Sequence, residues 1–475
     1  MKFRLIALLA LTAAFRIVAE PTPEQVETAM KKATNYLLDE VSTHGGFVAL
    51  YTEDLSRCWG EVPARNSMIW IQDAGTTTVG KALLDVYRET GDPFYREALM
   101  KVANAIVAAQ RPEGGWHYFH DFDPSGVEKW YEEVGSKAWG WEEFYHWDDN
   151  STFDDDVTAG ASDFLMDVYW ETLDPRYKGP LMKALDFVLE AQYPLGGWPQ
   201  RYPHPHGYSA YYTFNDGVTE GNIQLLWKAY KKFGNEEYRK AALRGMYFYI
   251  VSQNPPPQAG WSQAHELSLE PGGARSYEPK GLTTSSTQNN INALYRFYGM
   301  TGDRRFLRPI PDAIDWLEST KIPPEDSING NTHPQFVELR TNKALYAHRE
   351  GKSMEEGRYW VDYEAGNFPG HYGMQGKINI PQLRERYEEM SALSPEEAMD
   401  RYNGEREKSK PVVGTNAEEV QTILDSLNEK GAWIEDLSMP DPTDWKYKPR
   451  TEFRGISVRT FAKNLRVLSA YLNRE

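Results

Sequence analysis

The chain has 475 residues, 40% of them apolar, and a formal net charge of −17. That length suffices for one large domain or two ordinary ones with a sizeable core, and the acidic excess excludes binding to nucleic acid or anionic membranes through a general field. Cys58 is the only cysteine, which excludes an internal disulfide and a zinc–cysteine site.

At the N-terminus, Lys2 and Arg4 precede an apolar run from Leu5 to Phe15, and Ala19 ends a small-residue pattern. This predicts a signal peptide over residues 1–19, too short to span a bilayer. No later segment is long and apolar enough to do so. The expected location is therefore a bacterial periplasm or the extracellular medium.

Downstream the chain repeats itself. Residues 80–118, 161–200 and 222–263 each read as a helix, a turn with Gly or Asp-Pro and a second helix; the first two end in Gln-x-x-x-Gly-Gly-Trp and the third in a longer stretch from Gln253 to Ala259-Gly260-Trp261. A fourth copy begins at 291–320, and a partial first copy ends at Gly45-Gly46-Phe47. The apolar spacing inside the copies is helical, as at Phe164, Val168 and Tyr169. A hairpin of two helices cannot bury both apolar faces alone, so successive hairpins must stack. The predicted fold is all-α, an α/α toroid over residues 20–390. A helical extension, 391–475, is packed on the same body: residues 401–419 read as a linker, and Gly431-Ala432-Trp433 echoes the repeat ending.

Two loops carry acids at the same point of their units. "STFDDDVTAG" (151–160) and "YTFNDGVTEG" (212–221) place Asp154, Asp155, Asp156 and Asp216 just before a helix. One Asp per loop is explained by N-capping. Three in a row repel one another unless a cation or donors balance them, and oxygen ligands from two loops suit calcium. Catalytic carboxylates are the third reading. Gln263, Arg275, Glu278 and Lys280 lie in the loop opening the next unit, on the same expected rim. Aromatics make up 13% of the chain, and Trp198 and Tyr202, in "GGWPQRYPHPHGYSAYY", are candidates to wall a sugar cleft. His204 and His206 in that loop read as solvated.

"STFDDDVT", "GGWPQRYP", "TFNDGVT", "GGARSYEP" and "FVELRTNKALYAHREG" occur in that order. Over roughly residues 70–360 the chain resembles the family 10 polysaccharide lyases, pectate lyases built on an α/α toroid. The resemblance implies cleavage of polygalacturonate by calcium-assisted β-elimination. It further implies Asp154 and Asp216 as calcium and substrate holders, Arg275 as base and Arg349 as a substrate-binding residue. Gln263, Lys280, Trp198 and Tyr202 are expected beside them from their place on the rim, the expected partner is a uronic-acid polysaccharide, and the expected state is a monomer. The chain departs from the family pattern at Asp155, where Asn is usual, at Gln335, where an arginine is usual, and at Ala264-His265-Glu266. A different or methyl-esterified uronate polymer, an α/α-toroid glycoside hydrolase using Asp154 and Asp216, and a non-catalytic glycan-binding protein stay open beside it.

Overall fold

The turns of the repeat dictate the hairpins. Asp92, Asp174, Asn235 and Asp303 hold the same place in successive units, and each side chain accepts a hydrogen bond from the backbone N–H two residues on, at 2.9–3.0 Å. Each thereby satisfies a free amide at the start of a helical segment. One or two residues earlier the preceding helix stops in a left-handed residue, Gly91, Gly234 and Gly302 in three units and Leu173 in the fourth.

The computed structural model describes residues 20–351, 356–370, 372–408, 416–440 and 450–474. The predicted signal peptide lies outside them, as does part of the 401–419 linker. The described helices are α1 (Pro23–Tyr36), α2 (Thr76–Thr90), α3 (Pro93–Ala108), α4 (Gly126–Glu133), α5 (Val157–Thr172), α6 (Pro175–Glu190), α7 (Val218–Phe233), α8 (Glu236–Val251), α9 (Thr284–Thr301), α10 (Ile310–Ser319), α11 (Ile380–Ala392), α12 (Pro395–Lys408), α13 (Ala417–Ser426) and α14 (Val458–Leu472). Hairpins α2–α3, α5–α6, α7–α8 and α9–α10 stand side by side, with α2 against α5 and α5 against α7. At one end α12 packs on α9; at the other α14 packs on α2 and α1 on α14. The fold is the α/α toroid. Its last helix pairs with its first across the chain ends, where the Tyr471 hydroxyl donates to the Pro21 carbonyl at 3.0 Å.

The Gln-x-x-x-Gly-Gly-Trp ending is a corner piece. Gln110, Gln192 and Gln253 each donate to a carbonyl of their own loop and to one of the next outer helix, at 2.8 and 2.9 Å. The indoles of Trp116, Trp198, Trp261 and Trp433 each donate back to a carbonyl of the helix just left. Gly114 sits at φ +119°, and a Cβ there would lie 2.7 Å from the Lys183 carbonyl oxygen, so only glycine fits. Trp198 is fully buried in this role and cannot stack on a sugar. This corrects the sequence expectation: an aromatic that recurs at every corner plugs the corner.

Short antiparallel ladders tie the segment after each corner back to the one that entered the inner helix of the hairpin just completed: Met68–Trp70 to Phe119–Asp121, Ser151–Thr152 to Arg201–Tyr202, and Tyr212–Thr213 to Ala264–His265. All acid-bearing loops therefore rise on one rim. Helical periodicity predicted neither of the larger sheets: a five-stranded one joins short strands within 50–64 to Glu435–Pro440 and Arg450–Ser457 of the extension expected to be helical, and a four-stranded antiparallel one runs in the order Leu282–Thr283, Phe336–Val337, Ala344–Glu350 and Arg358–Asp362. The four-stranded sheet walls the same rim.

Candidate functional site

The two acidic loops share one backbone. After Phe153 and after Phe214 comes a single turn of 3-10 helix, whose middle residues, Asp155 and Asp216, lie in the left-handed region at φ 50° and 49°. The structural pair is thus Asp155 with Asp216, and Asp154 corresponds to Asn215. None of these aspartates caps the following helix, since no side-chain hydrogen bond reaches its free amides. The capping reading is therefore overturned; left-handed φ aims these carboxylates away from the helix end. The following threonines carry the architecture instead: Thr158 and Thr219 donate to the carbonyls of Thr152 and Thr213.

Arg275 is the hub. Its guanidinium is buried and meets Glu143 at 2.9 Å, Asp154 at 3.2 Å, Glu278 at 3.3 Å and Asp216 at 3.8 Å. The Glu278 carboxylate also accepts the Arg275 backbone N–H at 3.0 Å, which fixes the turn that presents the side chain. Tyr118 donates to Asp154 Oδ2 at 2.7 Å, while Asp154 Oδ1 is buried and takes no hydrogen bond. Glu61 and Asp155 share one donor, the Gln72 amide, at 3.1 and 2.7 Å.

One guanidinium does not balance so many carboxylates, and the protonation of the site follows. Burial raises Glu143 to about 7, although Arg275 pulls it down. Burial, reinforced by Asp154, raises Asp216 well above the usual carboxylate range and Asp155 to about 9. Asp155 lies on the exposed side of its loop, so cleft solvent screens its charge. For Arg275, burial works against the charged form, but Glu143, Glu278, Tyr277 and Asp154 outweigh it and hold the group well above its ordinary value. A guanidinium so placed keeps its proton.

Glu142 and Glu143 reach the site on an excursion between α4 and α5 that belongs to no repeat. Trp139 of that segment lies under the Arg349 guanidinium at 3.6 Å. The Tyr277 hydroxyl donates to the Gly140 carbonyl at 2.8 Å, and the Glu142 carboxylate accepts the Ser276 amide at 3.0 Å. Arg349 is fully buried and donates to the Trp139 carbonyl. It anchors the excursion and is not presented to a ligand here. Arg201, also buried, reaches Asp148 at 2.9 Å and the Glu143 carbonyl.

The structure thus brings together Asp154, Asp216 and Arg275 from the sequence-predicted set. Gln263 supports them: its carbonyl accepts the Phe214 amide at 2.8 Å, and its side chain accepts the Tyr372 hydroxyl at 3.2 Å. Tyr202 donates to Glu190 on the outer side of the corner, and Lys280 is taken up by Glu266 and Glu270. Neither reaches the cluster, because each lies beyond the turn that faces it. Gln335 donates to Ser285 at 2.7 Å, and His265 is buried edge-on to Phe214. Glu61, Glu142 and Glu143 were missed from sequence; the one signal was the long Trp- and Glu-rich stretch between two otherwise adjacent hairpins.

Among the described residues, no three His, Cys, Asp or Glu are arranged to hold a metal ion. The donor chemistry is nonetheless that of a hard-cation site: carboxylate oxygens only, in anionic excess, with Asp154 Oδ1 left without a hydrogen.

The model of a family described as pectic acid lyase matches residues 129–375. No curated protein matches the chain. Among solved structures, a family 10 polysaccharide lyase from Cellvibrio cellulosa is 19% identical, covers 67% of this chain and 98% of its own, and superposes with a TM-score of 0.45. A family 76 glycoside hydrolase (mannosidase) from Bacteroides thetaiotaomicron is 11% identical, covers 95% and 99%, and superposes at 0.44. An unsaturated glucuronyl hydrolase specific for heparin is also 11% identical, covers 94% and 96%, and superposes at 0.40. The family match takes in the acidic loops, Arg275 and the strand bearing Arg349, and the chain belongs to the pectic acid lyase family of polysaccharide lyases.

Proposed function

We propose that this protein is an exported lyase that cleaves a uronic-acid polymer, pectate or a relative of it, by calcium-assisted β-elimination. The observation that supports it best is the convergence of Asp154, Asp216 and Arg275, from three successive inter-hairpin loops, on one buried cluster. In β-elimination a base removes the proton at C5 of the uronate, the C4–O bond breaks with its electron pair going to the leaving oxygen, and a C4–C5 double bond remains. Asp154 and Asp216 would hold calcium together with the substrate, and calcium when bound supplies neutralisation of the uronate carboxylate and so acidifies the C5 proton.

Arg275 is the residue assigned to the reacting proton. Held by four carboxylates it keeps its proton; that hold is loosened only when Asp154 and Asp216 turn to another cation. Glu143 and Glu278 position its two edges, and Gln263 holds the Asp216 loop. The test is an absorbance screen over several uronate polymers with calcium and with chelator. An ultraviolet rise from the unsaturated uronate is expected only with calcium, and no rise on any polymer refutes the proposal.

A hydrolase is favoured by one observation, the carboxyl of Glu143, raised by burial and set against the Arg275 guanidinium, which suits a general acid. It would give saturated products and survive chelation.

A further inference from the structure

Beside the Arg275 cluster a cavity of about 640 Å³ opens between the α7 and α9 sides of the rim. It reaches Asp216 at one end, so a polymer engaged at the cluster continues into it. Its wall on α9 is built from Ser285, Ser286, Asn289, Asn290 and Asn292. Ser285, Asn289 and Asn292 are spaced i, i+4, i+7, so one face of this inner helix is amide and hydroxyl where a helix in a packed core would be apolar.

Asn290 is 3% exposed, and its Nδ2 donates to nothing. A buried amide donor left unmet costs free energy unless a ligand or water meets it. The charges of the cavity balance in number, Asp216 and Glu220 against Arg296 and Arg386. Arg296 pairs with Glu220 at 2.5 Å, and Arg386 donates to Asn292 at 2.8 Å while lying over the Tyr295 ring. A free carboxylate entering here meets two carboxylates as well as two guanidiniums and gains one open charged donor, Arg296 Nε, whereas the hydroxyls and amides of the α9 wall outnumber it.

We propose that this cavity is a subsite for an uncharged pyranose unit, bound through its hydroxyls or carbonyl by the Ser285–Asn292 stripe and Asn290. The preferred polymer then carries an uncharged unit next to the uronate that reacts. This rests on the lyase reading for the neighbouring cluster but not for the binding itself. Two sources supply such a unit: a methyl-esterified uronate, or a neutral sugar alternating with uronate.

Isothermal titration of the full chain, in chelator so that nothing turns over, tests it with three matched hexasaccharides: unesterified galacturonate, its methyl ester, and alternating rhamnose–galacturonate. At least one uncharged-unit ligand should bind tenfold or more tighter than the unesterified one, and the tighter one names the source. Asn290→Leu and Asn289→Lys should each remove that preference, with circular dichroism and melting temperature showing that they fold; Ser286→Ala serves if Asn290→Leu does not. Equal or tighter binding of the unesterified ligand, no binding of any, or a preference unchanged in the folded variants overturns the subsite. Absence of unsaturated product from all three polymers with calcium refutes the lyase reading alone and leaves the measured preference standing.

Discussion

Two features recur around this ring, and they recur differently. At the Gln-x-x-x-Gly-Gly-Trp corners the partners repeat with the residues: three glutamines clamp equivalent carbonyls, and four indoles donate to equivalent carbonyls. At the acidic loops only the backbone repeats. Asp155 and Asp216 share a left-handed conformation, yet Asp155 shares the Gln72 amide with Glu61 while Asp216 faces Arg275. Residues that repeat with their partners build the scaffold. A repeated backbone with exchanged partners is where the ring has been specialised.

Substitutions separate the two kinds of repeat. The largest effect is expected from Arg275→Ala, which leaves Glu143, Asp154 and Glu278 buried without their cation. Stability should fall by ~3–5 kcal/mol in chelator, and lyase turnover by on the order of 10³-fold or more, read from denaturant unfolding and ultraviolet absorbance. Full turnover in a folded variant would remove Arg275 from the chemistry.

Trp198→Ala should cost a similar ~3–5 kcal/mol through the cavity it opens, but turnover per folded molecule should hold. A selective loss of turnover would restore Trp198 as a sugar platform. Asp155→Asn is expected to do the opposite of a scaffold mutation. It relieves a crowded acid, so the metal-free protein should melt higher while calcium-dependent turnover falls by about ten- to a hundred-fold.

Smaller still is Gln192→Ala, which leaves the Gly196 and Ala241 carbonyls without their shared donor, at about 1–3 kcal/mol and no change in calcium response. The smallest effect is a pH drift. Glu143 titrates near 4.5 when unfolded and about 7 in the fold, so its contribution is fully present below pH 4.5 and is lost as pH rises through 7. In chelator the melting temperature should fall by a few degrees between pH 5 and 8, and calcium should restore more of it at pH 8. A melting temperature that rises over that range would mean Glu143 is ionised throughout.

The hairpins were legible because apolar spacing and a turn signal recur in four copies, and repetition averages out local ambiguity. The acid loops and Arg275 were legible as motifs. Asp155 made sense only once backbone conformation paired it with Asp216. Glu61, Glu142 and Glu143 were hidden for a physical reason: Glu143 meets Arg275 and Glu142 meets Ser276 across more than a hundred residues, Glu61 joins them through Gln72 and Trp141, and all three lie on segments with no period to read. Trp198 and Arg349 were misplaced because chemistry suited to a sugar is equally suited to filling a corner or anchoring a loop. The strands at 344–362 escaped because Ala344–Glu350 is buried along most of its length, so no alternation marks it.

The pairing of α1 with α14 has a consequence for synthesis. Asp85 and Glu89 of α2 find Arg466 and Ser469 only after some 380 further residues have been made. The flank of α2 is therefore made long before the face of α14 that covers it. Contacts so distant in sequence make the docking of α14 on α2 a slow step of assembly, and until it occurs that flank is where a chaperone, or a second nascent chain, would bind.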